Sequence, residues 1–409
     1  MKILIVGGGG REHAIGWKLK QNPTLQLYFA PGNGGTADIG ENINIKVDEI
    51  QKLADYAEEN HINTTIVGPE LPLTLGIVDE FIKRKLRIFG PGLDGAKLEG
   101  SKVFSKQFMK KYQIPTAEYD TVTSLNDGLQ LLEQRSYPLV VKADGLAAGK
   151  GVIICADKTE AENALKDMMD TGVFGDAGST VVIEEFLTGR EVSLLCFTDG
   201  ETIMPMETAS DYKRALDNDL GANTGGMGSI SPSPYFLPGS ADEIVHKTLE
   251  GIKKEGIDYK GVIYIGLMLT SDGPKVLEYN ARFGDPETQA LLPRLESDLL
   301  EIIQAVIDKR LSDVTLNWSN KKAVSVVIAS GGYPGSYETG RVIDVPKTES
   351  FVFHAGTSII DAQLKTNGGR VLAVTALGDN FDEARKTAYI DVERIKFTSK
   401  AYRTDIGLL

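Results

Sequence analysis

The sequence predicts a multidomain protein that combines α/β and α+β units, and three observations support this prediction. First, its 409 residues exceed the length at which one hydrophobic core keeps growing, so we expect two to four packed units. Second, short apolar runs alternate with helix-like patterns through the first hundred residues, which is typical of a parallel α/β unit. Third, two further sets of apolar runs follow in the middle and at the end of the chain.

The first hundred residues account for the parallel part of this prediction. The predicted strands cover residues 3–6, 26–30, 64–67 and 87–89, and the predicted helices cover residues 12–19 and 49–59. In parallel sheets the ligand crevice lies beyond the carboxyl ends of the strands. Those ends carry the segments GGGGREH, APGNGGT, VGPELPL and FGPGLDGAK, all rich in glycine or proline. We therefore expect loop backbones to line the crevice.

The middle of the chain predicts a second α/β segment, which follows an amphipathic helix over residues 100–112. Its predicted strands cover residues 139–142, 151–155, 180–186 and 191–198, and its helix covers residues 159–169. The polar stretch ASDYKRALDNDLGANTGGMGSISPSP, residues 209–234, predicts a long loop without regular structure. Loops of this length in a compact protein are usually functional or disordered.

Two more strands, a helix and a final unit complete the predicted fold. The strands cover residues 261–270 and 275–280 and are joined by SDGP. Asp285 and Pro286 predict a helix, with the aspartate as N-cap and the proline at the first helical position. From about residue 316 the sequence predicts a small α/β unit, with strands at residues 323–329 and 371–375.

Composition excludes several classes of function. The net charge of −13 argues against nucleic acid or an anionic membrane as the main partner, because both require a basic face. Cys155 and Cys196 stand in apolar strand-like runs, so we expect neither a disulfide framework nor a zinc cluster. The apolar stretch behind Met1 is too short for a signal peptide. We therefore expect a cytoplasmic protein.

The N-terminal glycine loop, Gly7 to Gly10, does not match a dinucleotide-binding fingerprint. Glu12 or His13 stands where the third glycine of that motif is required. The amides of the loop, at the start of a helix, remain a candidate phosphate site. A plain tight turn is the alternative.

The segment KADGLAAGKGV, residues 142–152, is a second glycine-rich loop. It is not a Walker A motif, because Asp144 stands at the position of the first glycine and Gly151 at the position of the Ser or Thr. A loop of this kind between two strands, flanked by Lys142 and Lys150, suits a flap that closes over a triphosphate. The alternative is a long hairpin turn with surface lysines.

Glu278 and Asn280 form the most informative pair. Residues two apart on a strand point to the same face, so their oxygens project together, and such hard ligands suit Mg²⁺ shared with a nucleotide. Alternatively, both side chains face solvent at a strand end. None of the four histidines stands at metal-ligand spacing or beside a nucleophile. The chemistry most compatible with these features is phosphoryl transfer.

The ordered motifs PGNGGT, GLAAGKGV, VIEEFLTGREVS, NTGGMG and NARFGDPETQ closely resemble the phosphoribosylamine-glycine ligases, over almost the whole chain. This resemblance implies an ATP-grasp core, preceded by an N-terminal parallel α/β substrate domain and followed by a small C-terminal domain. The implied boundaries are residues 1–100, 101–315 and 316–409, with a flap or lid subdomain at about 120–188. The implied reaction joins glycine to 5-phosphoribosylamine with ATP, through a glycyl phosphate.

The resemblance also implies roles for individual residues. Glu278 and Asn280 would bind Mg²⁺ or Mn²⁺, and Arg282 and Lys213 would be catalytic. ATP would be bound by a set of lysines, glycines and hinge residues: Lys102, Lys142, Gly149, Lys150, Gly151, Glu184, Glu185, Phe186, Leu187 and Glu191. The substrates would be held by Gly8, Gly9, Gly10, Asp211, Asn223, Thr224, Gly225, Gly226, Met227 and Arg282. The implied partners are small molecules only, and we expect a monomer.

Two other interpretations remain open from the sequence. A carboxylase or another purine-pathway ligase would keep the ATP-grasp fold and change the substrate, but the resemblance of residues 211–228 is to the glycine ligases. A nucleotide-binding regulator without turnover would not need the pair Glu278 and Asn280, nor Lys142.

Overall fold

The computed structural model describes residues 1–145, 151–170 and 178–409. Its N-terminal part is a five-stranded sheet of order β3-β2-β1-β4-β5 in which every neighbouring pair is parallel, as predicted. The elements of this part are β1 (Lys2–Gly7), α1 (Gly10–Lys20), β2 (Gln26–Pro31), β3 (Glu41–Asn42), α2 (Ile50–Glu59), β4 (Thr64–Val67), α3 (Glu70–Thr74), α4 (Ile77–Lys83) and β5 (Ile88–Phe89).

The next part is an antiparallel sheet of order β6-β9-β7-β8 with two helices against it. Its elements are α5 (Leu93–Gly100), α6 (Lys102–Lys111), β6 (Tyr119–Val122), α7 (Leu125–Leu132), β7 (Leu139–Ala143), β8 (Val152–Cys155), α8 (Lys158–Met169) and β9 (Val181–Glu185). The single helix predicted over residues 100–112 was wrong at its start. Ser101 has extended backbone and its side chain accepts a hydrogen bond from the amide of Phe104, so it ends α5 and caps α6.

The third part carries a four-stranded sheet of order β11-β10-β16-β17. Its elements are β10 (Arg190–Thr198), β11 (Ile203–Pro205), β12 (Ser210–Asp211), β13 (Arg214–Leu216), β14 (Leu220–Asn223), β15 (Gly228–Ser231), α9 (Asp242–Lys254), β16 (Gly261–Thr270), β17 (Gly273–Asn280), α10 (Glu287–Leu291) and α11 (Leu299–Ile307). The helix predicted at residues 285–286 begins one residue later, at Glu287, and Pro286 is its N-cap.

The prediction of an irregular loop over residues 209–234 was wrong. Four short strands, β12 to β15, run through it, and β13 and β14 pair as a hairpin. Each strand has two to four residues, which is too short to show a period in the sequence. Strands β12 and β15 gain their stability by adding to a sheet formed by the end of the chain.

That last sheet has the order β12-β15-β18-β22-β19, with β23 also paired to β18. The remaining elements are β18 (Lys322–Ser330), β19 (Phe351–His354), β20 (Thr357–Ile360), β21 (Gln363–Thr366), β22 (Arg370–Gly378), α12 (Phe381–Arg394) and β23 (Lys400–Ala401). Helix α12 packs on β18 and β22. In the described part of the chain, no helix combines the length and apolar character that crossing a bilayer requires.

The apolar cores explain how these parts are joined. One core cluster contains Ile3 of the first sheet, Phe197 of the third part and Phe353 of the last sheet, so these three regions share buried surface. A separate cluster holds only residues from β6 to β9 and helices α7 and α8, for example Val141 and Leu165. The sheet of β6 to β9 therefore has a core of its own.

Candidate active site

A cavity of about 670 Å³ lies where the four regions meet. Eleven of the residues that the sequence singled out line it: Lys102, Lys142, Gly151, Glu184, Asp211, Lys213, Thr224, Gly225, Glu278, Asn280 and Arg282. Residues Gly145 and Val152, which bracket the second glycine-rich loop, line it as well. The two described ends of the loop and the end of β17 thus face one and the same cavity. Gly149 and Lys150 lie outside the described residues.

Three buried charged groups form a triad in the wall of the cavity. The Glu184 carboxylate lies 2.9 Å from Nζ of Lys142 and 3.1 Å from Nζ of Lys106, and Lys106 also donates to Oγ1 of Thr116 at 2.7 Å. Burial lowers the pKa of Lys106 to about 8, although Glu184 opposes this shift. The side chain of Glu184 is therefore committed to orienting two lysines.

The base of the glycine-rich loop is anchored to helix α6. Lys102 donates to the carbonyl of Gly145 at 2.9 Å, and burial lowers its pKa. Asp144 accepts from the amide of Val103 at 3.1 Å and from Oγ of Ser101 at 3.3 Å. The N-terminus of α6 therefore holds the point at which the loop leaves β7.

Glu278 and Asn280 project from β17 into this cavity. Nζ of Lys142 lies 3.4 Å from the carbonyl of Leu277, so the lysine reaches from the loop sheet to this strand. Burial raises the pKa of Glu278, but the positive charges of Lys213, Lys142, Lys102 and Arg282 outweigh it and hold that pKa below its ordinary value. Glu278 is thus an ionised hard-oxygen donor at neutral pH.

Arg282 connects this strand end to the N-terminal part. Its guanidinium lies 2.8 Å from Glu99 and 3.2 Å from Glu70, and it donates to the carbonyl of Phe283 at 3.2 Å. Burial opposes the charge of Arg282, but the two glutamates outweigh burial and raise its pKa. Arg282 stays charged beside Glu278.

Asp211, Lys213 and Glu287 form a further part of the cavity wall. Nζ of Lys213 lies 2.9 Å from Glu191, and Oε1 of Glu287 accepts from Oγ of Ser193 at 2.9 Å. Oδ1 of Asp211 is buried and has no hydrogen-bond partner among the described residues. Burial and the neighbouring charge of Glu287 raise the pKa of Asp211 well above its ordinary value.

The first glycine loop lies beside the cavity and is not part of its lining. The amide of Gly9 donates to Glu12 at 2.5 Å, and the amide of Arg11 donates to Oδ2 of Asp285 at 3.3 Å. Asn33 holds the loop from behind by donating to the carbonyl of Gly8 at 3.0 Å. One of the amides expected to hold a phosphate, that of Gly9, is therefore engaged by a carboxylate, and so is the amide of Arg11 that follows the loop.

The remaining singled-out residues also lie outside the cavity lining: Gly8, Gly9, Gly10, Glu185, Phe186, Leu187, Glu191, Asn223, Gly226 and Met227. Glu185 is paired with Lys275 at 3.1 Å. Asn223 is exposed on β14, whereas Met227 is buried, and its amide donates to the carbonyl of Tyr212 at 2.8 Å. Phe186 is partly exposed at the end of β9.

Sequence reasoning missed several charged residues of the cavity: Arg11, Glu70, Glu99, Lys106, Asp285, Glu287 and Arg370. Most of them make their contacts with partners far away along the chain, such as Arg370 with Asp285 at 3.3 Å. A usable signal was present for four of them: Arg11 and Glu70 stand in the segments GGGGREH and VGPELPL, which were expected at the crevice. Asp285 and Glu287 stand inside the motif NARFGDPETQ, next to residues that were singled out.

The residues present fit a magnesium nucleotide. Glu278 supplies a carboxylate and Asn280 an amide oxygen, and no cluster of three or more His, Cys, Asp or Glu side chains suited to a metal occurs in the described ranges. Mg²⁺ is usually held by one or two carboxylates and completes its octahedron with phosphate oxygens and water. The lysines nearby would bind the same phosphates.

Comparison with known proteins gives matches along nearly the whole chain. Family models described as phosphoribosylglycinamide synthetase match it in three parts: the N domain at residues 1–99, the ATP-grasp (A) domain at 100–288 and the C domain at 323–409. The phosphoribosylamine–glycine ligase of Caldanaerobacter subterraneus subsp. tengcongensis is 52% identical, covering 100% of this chain and 99% of the relative.

Solved structures agree with these matches. The crystal structure of phosphoribosylamine–glycine ligase from Thermotoga maritima superposes with a TM-score of 0.88 at 35% identity, covering 99% of this chain and 100% of that one. The biotin carboxylase domain of Hydrogenobacter thermophilus 2-oxoglutarate carboxylase, in complex with MgADP, gives a TM-score of 0.75 at 14% identity. It covers 98% of this chain and 91% of that one, and at this identity it shows the fold alone.

Proposed function

Because the chain belongs to the phosphoribosylglycinamide synthetase family, we propose how its residues perform the reaction of that family. The chain is an ATP-dependent ligase that joins glycine to 5-phosphoribosylamine in purine biosynthesis. The products are glycinamide ribonucleotide, ADP and phosphate. One observation carries the assignment of residues: the two described ends of the glycine-rich loop and the end of β17 face the same cavity.

The chemistry requires that the carboxylate of glycine be activated first. A glycine carboxylate oxygen attacks the γ-phosphorus of ATP, the bond to the β-bridging oxygen breaks, and ADP leaves with that oxygen. The amino group of phosphoribosylamine then attacks the carbonyl carbon of glycyl phosphate, loses a proton and expels phosphate. Phosphate is a far better leaving group than oxide, and its departure is favoured by fixed positive charge.

The cationic residues of the cavity supply that fixed charge. We assign Lys102 and Lys142 to the phosphates of ATP, with Gly149, Lys150 and Gly151 in the loop that closes over them. Glu184 fixes Lys142 through the ion pair of 2.9 Å. The backbone from Glu184 through Glu185 and Phe186 to Leu187 is assigned to the adenine, and Glu191 to the ribose hydroxyls.

Glu278 and Asn280 are assigned to the divalent cation. ATP and Mg²⁺ are what ATP-grasp enzymes generally use, and we propose that Mn²⁺ can take the place of Mg²⁺. When bound, the cation neutralises charge on the transferring phosphoryl group. The low pKa of Glu278 keeps its carboxylate available as a ligand at neutral pH.

The remaining assignments concern the two other substrates. Arg282 and Lys213 are the catalytic residues, because both are charged and lie beside Glu278, where the acyl phosphate forms. Glycine is bound by Asp211, Arg282 and the segment from Asn223 through Thr224, Gly225 and Gly226 to Met227. The loop Gly8, Gly9 and Gly10 is assigned to the ribose 5-phosphate.

The assignment extends to the organisation of the whole chain. We propose domains at residues 1–100, 101–315 and 316–409, with a lid at about 120–188; the separate core of β6 to β9 supports that lid. We propose that the protein is a monomer. We also propose that it works in the cytoplasm on small molecules alone.

Product analysis tests the proposed function most directly. The chain is incubated with ATP, Mg²⁺, glycine and freshly made 5-phosphoribosylamine, and the expected product is glycinamide ribonucleotide with one ADP and one phosphate per turnover. Phosphate release is measured in parallel with bicarbonate in place of glycine. Release that depends on bicarbonate and not on glycine would instead identify a carboxylase.

A further inference from the structure

The arginine that opens β22, Arg370, reaches into the cavity from the C-terminal sheet. Its Nη1 donates to the carbonyls of Gly225 at 2.5 Å and Asp285 at 2.9 Å, and lies 3.3 Å from Oδ1 of Asp285. Burial opposes the charge of Arg370, but Asp285 outweighs burial and raises its pKa. Nη1 therefore holds the Arg370 side chain in place, and the guanidinium remains positively charged.

The other donors of the same guanidinium have no acceptor within the described ranges. A guanidinium carries five N–H donors in a rigid fork, and the contacts of Arg370 engage Nη1 alone. Its Nε and Nη2 edge therefore offers two parallel donors. That is the geometry with which arginine binds a carboxylate or phosphate at two points.

Tyr333 supplies another donor beside this edge. Its hydroxyl lines the cavity and accepts from the amide of Gly225 at 3.1 Å, which leaves its own O–H to donate. Gly369, the residue before Arg370, packs against the Tyr333 ring so closely that a β-carbon there would lie 2.2 Å from Cδ2. The tyrosine and the arginine are thus held next to one another by packing.

The surroundings indicate which anion this pair would bind. The acyl phosphate forms at Glu278, whose pKa responds to Lys213, Lys142, Lys102 and Arg282. Arg370 instead shares Asp285 with the amide of Arg11, at the N-terminus of helix α1. Through this shared aspartate Arg370 adjoins the loop assigned to the ribose 5-phosphate, in which the amide of Gly9 is already engaged by Glu12.

We propose that the free edge of Arg370 and the hydroxyl of Tyr333 bind the phosphate monoester of the amine substrate. This proposal rests on the proposed function and deepens it, because it names a recognition site for that phosphate on the C-terminal sheet. The phosphate of the amine substrate would then be held by the C-terminal sheet, whereas the nucleotide is held by other sheets. In this arrangement the amino end of the substrate points towards the acyl phosphate.

Direct binding to the full chain tests the proposal without turnover. Calorimetry is performed with ribose 5-phosphate and with ribose, on the wild-type chain and on the variants Arg370→Gln, Tyr333→Phe and Arg341→Gln. Arg341 is the matched control, because it also belongs to the C-terminal part of the chain and, among the described residues, its side chain pairs only with Glu338. Loss of a two-point charged contact should weaken ribose 5-phosphate binding about 10- to 100-fold in Arg370→Gln.

The other variants and the KM for glycine determine how a loss of binding is interpreted. Tyr333→Phe, which keeps the ring and its packing, should weaken ribose 5-phosphate binding about threefold to tenfold, and Arg341→Gln should leave it unchanged. The KM for glycine should rise by a smaller factor than ribose 5-phosphate binding weakens in either cavity variant, because both side chains also hydrogen-bond the backbone of Gly225. Should Arg370→Gln fail to fold, Tyr333→Phe decides the question alone.

Three results would overturn the proposal: wild-type binding of ribose 5-phosphate no tighter than that of ribose, unchanged binding in both cavity variants, or a raised KM for glycine alone. The last result would assign Arg370 to the glycine-binding segment. Failure of the function proposed above is a separate outcome, since it appears as absence of glycinamide ribonucleotide with the wild-type chain.

Discussion

At the scale of single residues, Glu278 has the clearest expected phenotype. Its carboxylate faces four cationic side chains and makes no side-chain hydrogen bond to any described residue, so Glu278→Gln should leave the fold intact. Loss of the charged ligand should lower kcat at least about 100-fold, which corresponds to roughly 3 kcal/mol of transition-state stabilisation. Phosphate release and thermal unfolding are measured across a titration of Mg²⁺, and near-normal rates in excess Mg²⁺ would refute the assignment.

A substitution of Lys106 tests whether the buried triad of Lys106, Glu184 and Lys142 only stabilises the fold or also positions ATP. Lys106→Met leaves Glu184 with one cation instead of two, and breaking a buried ion pair costs about 3–5 kcal/mol. We expect a lower urea midpoint and a raised KM for ATP, because Lys142 loses its fixed orientation. Lys110→Met, an exposed change on the same helix, should alter neither quantity. A change in stability without a change in the KM for ATP would show a purely structural triad.

The residue scale also shows what a single sequence reveals about the site. Period-two spacing on a predicted strand was sufficient to pair Glu278 with Asn280, and both line the cavity. Arg370 escaped notice because its partner Asp285 is 85 positions away, and nothing local marks such an ion pair. Lys106 escaped because a lysine on an amphipathic helix ordinarily faces solvent.

At the scale of elements, the turn between β14 and β15 contains most of the glycine-binding segment. Its Gly226 packs against Pro286 at the start of α10. Gly226 has φ of +111°, and a β-carbon there would lie 2.4 Å from Cδ of Pro286 and 2.7 Å from Oδ1 of Asp211. Gly226→Ala should therefore cost roughly 2–4 kcal/mol through backbone strain and overpacking, and raise the KM for glycine.

Gly256 provides the matched control for Gly226→Ala. It also has a positive φ, +67°, but a β-carbon there would meet no atom within 4 Å. Gly256→Ala should cost about 1 kcal/mol, the backbone contribution alone. Chemical denaturation of both variants separates the two effects, and equal losses of stability would show that contact with Pro286 and Asp211 is unimportant.

Elements with a strong period could be predicted from sequence, and short elements could not. Strand β4 falls on residues 64–67 as predicted, because its four consecutive buried residues, TTIV, are all β-branched and therefore favour a strand. Helix α5 was missed because Gly95 and Gly100 weaken its pattern. Strand β15 pairs with β18, about a hundred residues away along the chain, and β12 pairs in turn with β15. Such tertiary stabilisation leaves no periodic signal.

At the scale of the whole molecule, helix α1 near the N-terminus packs against β19 of the C-terminal sheet, and His13 and His354 form a buried pair at this contact. The amide of His354 on β19 donates to Nδ1 of His13 on α1 at 2.8 Å, and both side chains are less than a tenth exposed. Asn33 adds a hydrogen bond to the carbonyl of His354 at 2.8 Å. This contact joins the N-terminal helix to the C-terminal sheet, and it requires His13 to be neutral so that Nδ1 can accept.

The stability of the protein should therefore fall in mild acid. Burial, reinforced by His354, lowers the pKa of His13 from 6.5 to about 3, and burial lowers the pKa of His354 to about 4. Between these values and 6.5 the unfolded chain binds more protons than the folded one, so the stabilisation is complete above pH 6.5 and is lost as pH falls. For His13 alone the loss at pH 5 is about 2 kcal/mol.

Asparagine at position 13 separates this effect from the titration of carboxylates. In His13→Asn the amide oxygen can accept from the His354 amide without titrating, so the variant should lose less stability than the wild type between pH 7.5 and pH 5. Urea unfolding is measured at both values, and His246→Asn, an exposed change, should follow the wild type. Equal losses of stability in the wild type and His13→Asn would mean that protonation at the contact between α1 and the C-terminal sheet is not what destabilises the protein in acid.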